Sequence, residues 1–81
     1  MDILKTVQEL LMDEFGLSAE QVAPEAKLTD LGVDSLATIE FMFRLEEHFK
    51  VDLTEDTAPV ETVGDIATEV TRIVEAQGAT A

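Results

Sequence analysis

The sequence predicts an all-α fold, a four-helix bundle made of three main helices and one short one. Three observations lead there. Apolar residues recur at helical spacing in three long stretches, no stretch shows sustained apolar/polar alternation, and a long segment carrying Pro24 and Gly32 separates the first stretch from the second.

The first helix is expected from about Asp2 to Phe15. Ile3, Leu4, Val7, Leu10, Leu11 and Phe15 form one apolar stripe, and Gly16 supplies the stop. Gly16 to Asp34 reads as a long connection, which is uncommon inside a compact domain and often functional. Leu17, Val22, Leu28, Leu31 and Val33 are spaced so that they can pin it to the core.

The second helix is expected from Asp34 to about Lys50, with Asp34 or Ser35 as its N-cap. A short third segment is expected around Thr54 to Pro59, capped by Thr54 with Glu55 and Asp56 in its first turn. The last helix is expected from about Val63 to Gln77. Thr62 is its cap, Asp65 lies in its first turn, and Val63, Ile66, Ala67, Val70, Ile73 and Val74 form its stripe. Gly78 ends it. Residues 1–77 are therefore expected to form one domain, with 78–81 a flexible tail.

The second helix has two apolar strips. At about 100° per residue, Thr38, Phe41, Met42, Leu45 and Phe49 share the core side. Leu36, Ile39 and Phe43 fall on the other side among Glu40, Glu46 and Glu47. An isolated small bundle needs only one buried strip, and apolar patches rimmed by charge mark binding sites. Leu36 is expected to be exposed; Ile39 and Phe43 lie exposed or are partly covered by a neighbouring element.

Composition excludes several classes. Asp plus Glu number 18 against five Lys plus Arg, a formal net charge of -13. Such a chain repels nucleic acid and anionic membranes, opposes its own association, and attracts basic protein partners; a monomer is expected. The chain has no cysteine, so it offers neither disulfide nor thiolate. No apolar run is long enough for membrane insertion, and no basic region followed by an apolar run opens the chain. A cytoplasmic, free-standing protein beginning at Met1 is the expectation.

The stretch Leu31-Gly32-Val33-Asp34-Ser35-Leu36 resembles the attachment motif of acyl carrier proteins. The resemblance continues through Ala37-Thr38-Ile39-Glu40, Leu45-Glu46-Glu47, Phe49 and Thr62-Val63-Gly64-Asp65-Ile66, covering nearly the whole chain. Asp-Ser-Leu alone is a weak signal. After a long loop, opening an acidic helix in a chain of this size, it is a strong one.

The resemblance implies that a phosphopantetheinyl transferase moves phosphopantetheine from coenzyme A onto the hydroxyl of Ser35, flanked by Asp34 and Leu36. It implies that the arm's thiol carries acyl groups as thioesters to synthases and acyltransferases of fatty acid, lipid or polyketide biosynthesis. Their basic docking patches would meet Leu36, Ile39, Glu40, Phe43, Glu46 and Glu47, with Asp34 at the edge. The physics agrees: a phosphodiester is an anion, and a helix N-terminus offers free N–H groups and partial positive charge. Acyl storage between the helices is a plausible consequence, lined by Phe41, Met42 and Leu45 or by the opposite strip. Arg44, His48, Lys50 and the bulky Phe43 depart from the usual strongly acidic pattern and suggest a specialised pathway. Arg44 lies four residues after Glu40 and can pair with it.

Other classes fare worse. The only histidine, His48, lies at the far end of the helix from Ser35, roughly 20 Å away, so no Ser–His–acid site forms and no catalytic role is expected. Asp52-Leu53-Thr54-Glu55-Asp56-Thr57 lacks the spacing and glycine of an EF-hand, and no metal site is expected. An acidic helical interaction module without a prosthetic group is the main alternative; an aminoacyl or aryl carrier is a nearer one.

Overall fold

A computed structural model describes residues 2–53 and 60–77. Among them it is all-helical: α1 spans Ile3–Phe15, α2 spans Ser35–Phe49 and α3 spans Val63–Gln77, and a 3-10 turn over Leu28–Leu31 interrupts the long connection. The short segment expected at 54–59 and the tail expected at 78–81 lie outside the described residues.

Each helix begins and ends where its local chemistry dictates. Asp2 caps α1 by accepting from the Lys5 amide at 3.0 Å. Gly16, in the left-handed region with φ 67°, closes it by returning its N–H to Met12 O. At α3, the Thr62 hydroxyl accepts from the Asp65 amide at 3.1 Å, while the Asp65 carboxylate accepts from the Thr62 amide at 3.1 Å and the Glu61 amide at 3.0 Å. This reciprocal box satisfies donors that the helix itself leaves free. Those bonds, first from Glu61 and then from Thr62, lower the Asp65 pKa below the ordinary carboxylate value.

The core is wholly apolar. Val7 and Leu11 of α1, Phe41, Leu45 and Phe49 of α2, and Val63, Ile66, Val70 and Ile73 of α3 are all buried in it. Among the described residues no polar or charged side chain is buried. The helix α1 packs most closely on α3 and touches α2 less. Phe15 and Phe41 bring α1 and α2 together with ring centroids 6.0 Å apart. A second tie differs from the sequence expectation. Arg44 turns away from Glu40 and binds Asp13 at 2.8 Å and Glu14 on α1. Two carboxylates at the end of α1 outweigh one on its own helix, and these bonds raise the Arg44 pKa further.

The long connection is fastened along its length. Val22, Leu28 and Val33 are buried, and Leu17 and Leu31 pack partly against the core. The Gln8 side-chain amide donates to Val22 O at 2.8 Å. Where the connection passes the start of α3, Lys27 and Thr62 form an isolated antiparallel bridge. Leu28 N donates to Glu61 O, Val63 N to Ala26 O and Gly64 N to Pro24 O, at 2.9, 3.0 and 2.8 Å. A Cβ at Gly64 would lie 3.0 Å from Pro24 O, so glycine permits this approach.

Candidate functional site

Ser35 is the first residue of α2 and is exposed. The preceding segment is set by the 3-10 turn, which ends at Gly32 in the left-handed region with φ 78°. Of the two candidate caps, Asp34 is the one used: its carboxylate accepts from the Ala37 amide at 2.8 Å. The Asp34 carbonyl takes the Thr38 amide at 2.9 Å and the Thr38 hydroxyl at 2.8 Å. Asp34 and Thr38 are thus occupied in starting the helix. The Ser35 hydroxyl enters no hydrogen bond with any described residue. It projects from a helix N-terminus, where an attached phosphodiester would meet favourable partial charge.

A cleft of about 930 Å³ borders Ser35. Its apolar lining includes Leu28 and Val33 from the connection, Met42 from α2, and Leu53 and Val60. Thr38, Ile39 and Phe43 complete the α2 wall, and Lys27, Thr29 and Glu61 supply polar groups. The residues expected to line an acyl store divide between the cleft and the core. Met42 lines the cleft together with Ile39 and Phe43 of the opposite strip, whereas Phe41 and Leu45 are sealed in the core at 1% and 0% exposure. The cleft thus lies at the edge of α2, reached from both strips. Its wall from Lys27 to Thr29 and from Val60 to Glu61 carried no signal of its own, because those residues meet only through the bridge to Thr62.

The second strip of α2 is open: Leu36, Ile39 and Phe43 are 65%, 52% and 51% exposed. Glu40 and Glu47 are exposed beside them. Glu46 differs: it is half-buried and its carboxylate accepts from the Leu53 amide at 3.1 Å. His48 is exposed and lies edge-on to Phe49, centroids 5.0 Å apart. Among the described residues no group of acidic, histidine or cysteine side chains is arranged to hold a metal ion, and no helix is long and apolar enough to cross a membrane.

The exposed Ser35 hydroxyl at a helix start, beside an apolar cleft, is an arrangement open to covalent attachment of a group in a small helical protein. Residues 5–70 match the family described as the phosphopantetheine attachment site. Two curated relatives, both acyl carrier proteins of Nitratidesulfovibrio vulgaris, one from strain DP4 and one from strain Hildenborough, are each 42% identical over 59 residues. The match covers 72% of this chain and 78% of each relative. The chain therefore belongs to the acyl carrier proteins of the phosphopantetheine-attachment family. It is a carrier rather than an enzyme, and its prosthetic group is a covalently bound phosphopantetheine. Proteins of this kind work with synthases and transferases.

Proposed function

We propose that Ser35 is the attachment residue and that the chain carries acyl intermediates of fatty acid, lipid or polyketide biosynthesis in the cytoplasm, as a monomer whose working domain is residues 1–77. The observation that carries this is the position of Ser35: exposed, first in α2, its hydroxyl in no hydrogen bond with any described residue, and bordering the apolar cleft. In the modification the Ser35 oxygen attacks the β-phosphorus of coenzyme A, 3′,5′-ADP leaves, and a base on the transferase takes the hydroxyl proton. Once bound, the arm supplies the thiol that the cysteine-free chain lacks and holds acyl groups as thioesters. Asp34 keeps the helix start in place, and Leu36 flanks the hydroxyl as an exposed apolar contact.

The docking face comprises Leu36, Ile39 and Phe43 with Glu40 and Glu47. Exposed apolar anchors set residence time, and the surrounding carboxylates speed encounter with basic patches. Glu46 belongs to this face by position, with a second duty toward Leu53. The departures at Phe43, Arg44, His48 and Lys50 favour a specialised pathway. The cleft suits the apolar part of a cargo, with Met42 as an adaptable wall.

The test is intact mass after incubation with coenzyme A and a phosphopantetheinyl transferase. A gain of one phosphopantetheinyl group, absent in a folded Ser35→Ala, is expected. No gain in the parent chain, or a gain that persists in Ser35→Ala, overturns the assignment. A chain that takes no group behaves instead as an acidic interaction module.

A further inference from the structure

We propose that Lys27 is the oxyanion-reading residue of the Ser35 cleft, its ammonium holding either the phosphodiester of the arm or a carboxylate on the acyl cargo. This rests on attachment of the arm at Ser35.

Lys27 lines the same cleft as Ser35 and is the only cation among the described residues that line it. The chain has five cations in all. Arg44 and Arg72 are held in ion pairs, Arg44 with Asp13 and Glu14 and Arg72 with Glu69. Lys5 sits on α1 and Lys50 at the C-cap of α2, and neither lines the cleft. Lys27 enters no ion pair with any described residue, even though Glu61 lies on the same wall. Its charge is thus available.

The backbone beneath it is fixed. Lys27 faces Thr62 in the antiparallel bridge, with the Leu28–Glu61 and Val63–Ala26 bonds on either side. Only its side chain searches. The four-carbon stem can lie along the apolar wall while the ammonium reaches water at the rim. An anion approaching a chain of net charge -13 meets net repulsion. Among the described residues the acids lining this cleft are Asp34, whose carboxylate is engaged by the Ala37 amide, and Glu61. The Lys27 ammonium offsets one of these two charges and gives a phosphodiester or a carboxylate-ended acyl group a direct partner, and an apolar acyl chain gains nothing from it.

The experiment reads lysine side chains by NMR in protein labelled at lysine Cε. Lys5, Lys27 and Lys50 give three signals, two of them internal controls. Spectra are compared for the unmodified chain, the chain bearing the arm (verified by intact mass), and chains bearing butyryl or succinyl through a stable amide. Movement of the Lys27 signal alone on arm attachment supports the proposal with the phosphodiester as its anion. Movement with succinyl and not with butyryl supports it with the cargo carboxylate. In either case the movement shrinks in 0.5 M salt, and the matching rise in melting temperature persists in Lys27→Arg and is lost in Lys27→Gln. A Lys27 signal that stays with those of Lys5 and Lys50 in every form overturns it, as does a movement absent on arm attachment that appears equally with butyryl and succinyl. A chain that takes no arm sinks the carrier assignment as well, whereas a modified chain with a silent Lys27 sinks this proposal alone.

Discussion

Asp34 and Ala37 are joined by a 2.8 Å hydrogen bond from the Ala37 amide to the Asp34 carboxylate, and that bond leaves the neighbouring Ser35 hydroxyl uncommitted. The residue before the serine caps the helix so that the serine itself does not. Asp34→Ala is expected to lose about 1 kcal/mol of stability, and Asp34→Asn much less, because asparagine caps as well. Denaturant unfolding checks this. Equal losses in both variants would show that the cap is not what Asp34 contributes.

The two strips of α2 are expected to respond oppositely to truncation. Leu45→Ala, at 0% exposure, is expected to cost about 2–5 kcal/mol. Leu36→Ala, at 65% exposure, is expected to stay within about 0.5 kcal/mol. With a partner enzyme the order reverses. Leu36→Ala shortens the lifetime of the complex, while a folded Leu45 variant binds normally. Surface-based binding kinetics alongside thermal melts would separate the two.

Asp65 gives a pH signature. Its pKa is lowered in the folded chain by the Glu61 and Thr62 amides. Its contribution is therefore fully present above the unfolded carboxylate pKa and is lost as pH falls through the lowered folded value. Relief of the overall negative charge acts in the opposite sense on acidification, but it acts almost equally on the parent chain and on Asp65→Asn. The stability gap between these two is expected to narrow as pH drops from neutral toward 3. A gap that stays constant in melts across that range would deny the carboxylate its role.

Gly64→Ala tests the close approach of the connection to α3. Alanine is the better helix former by about 1 kcal/mol. Its Cβ would nevertheless stand 3.0 Å from Pro24 O, the acceptor of the Gly64 amide. Pushing that carbonyl away lengthens the bond that docks the connection. Net destabilisation of about 1 kcal/mol is expected, since crowding in a packed site costs about 1–3 kcal/mol. A stabilised variant in chemical denaturation would show that the contact yields freely.

Much of the fold was legible because its punctuation is local. Asp2, Gly16, Asp34 and Thr62 act within four residues of themselves, so the ends of α1 and the starts of α2 and α3 follow from the sequence. The exposure of Leu36 followed from helical spacing. What escaped depends on distant partners. Arg44 has an acid four residues before it, but its actual partners, Asp13 and Glu14, are about thirty residues away. The cleft escaped for the same reason, since Lys27, Met42 and Glu61 share no motif. The 3-10 turn over Leu28–Leu31 left one clue, Gly32, which the left-handed cap requires.

The bridge between Lys27 and Thr62 has a bearing on the order of events during synthesis. The stretch leading into Ser35 is moored to residues made about thirty-five positions later, and pairings so distant along a chain form after local turns of helix. A growing polypeptide halted short of Glu61 would own the serine but not the far bank of its cleft.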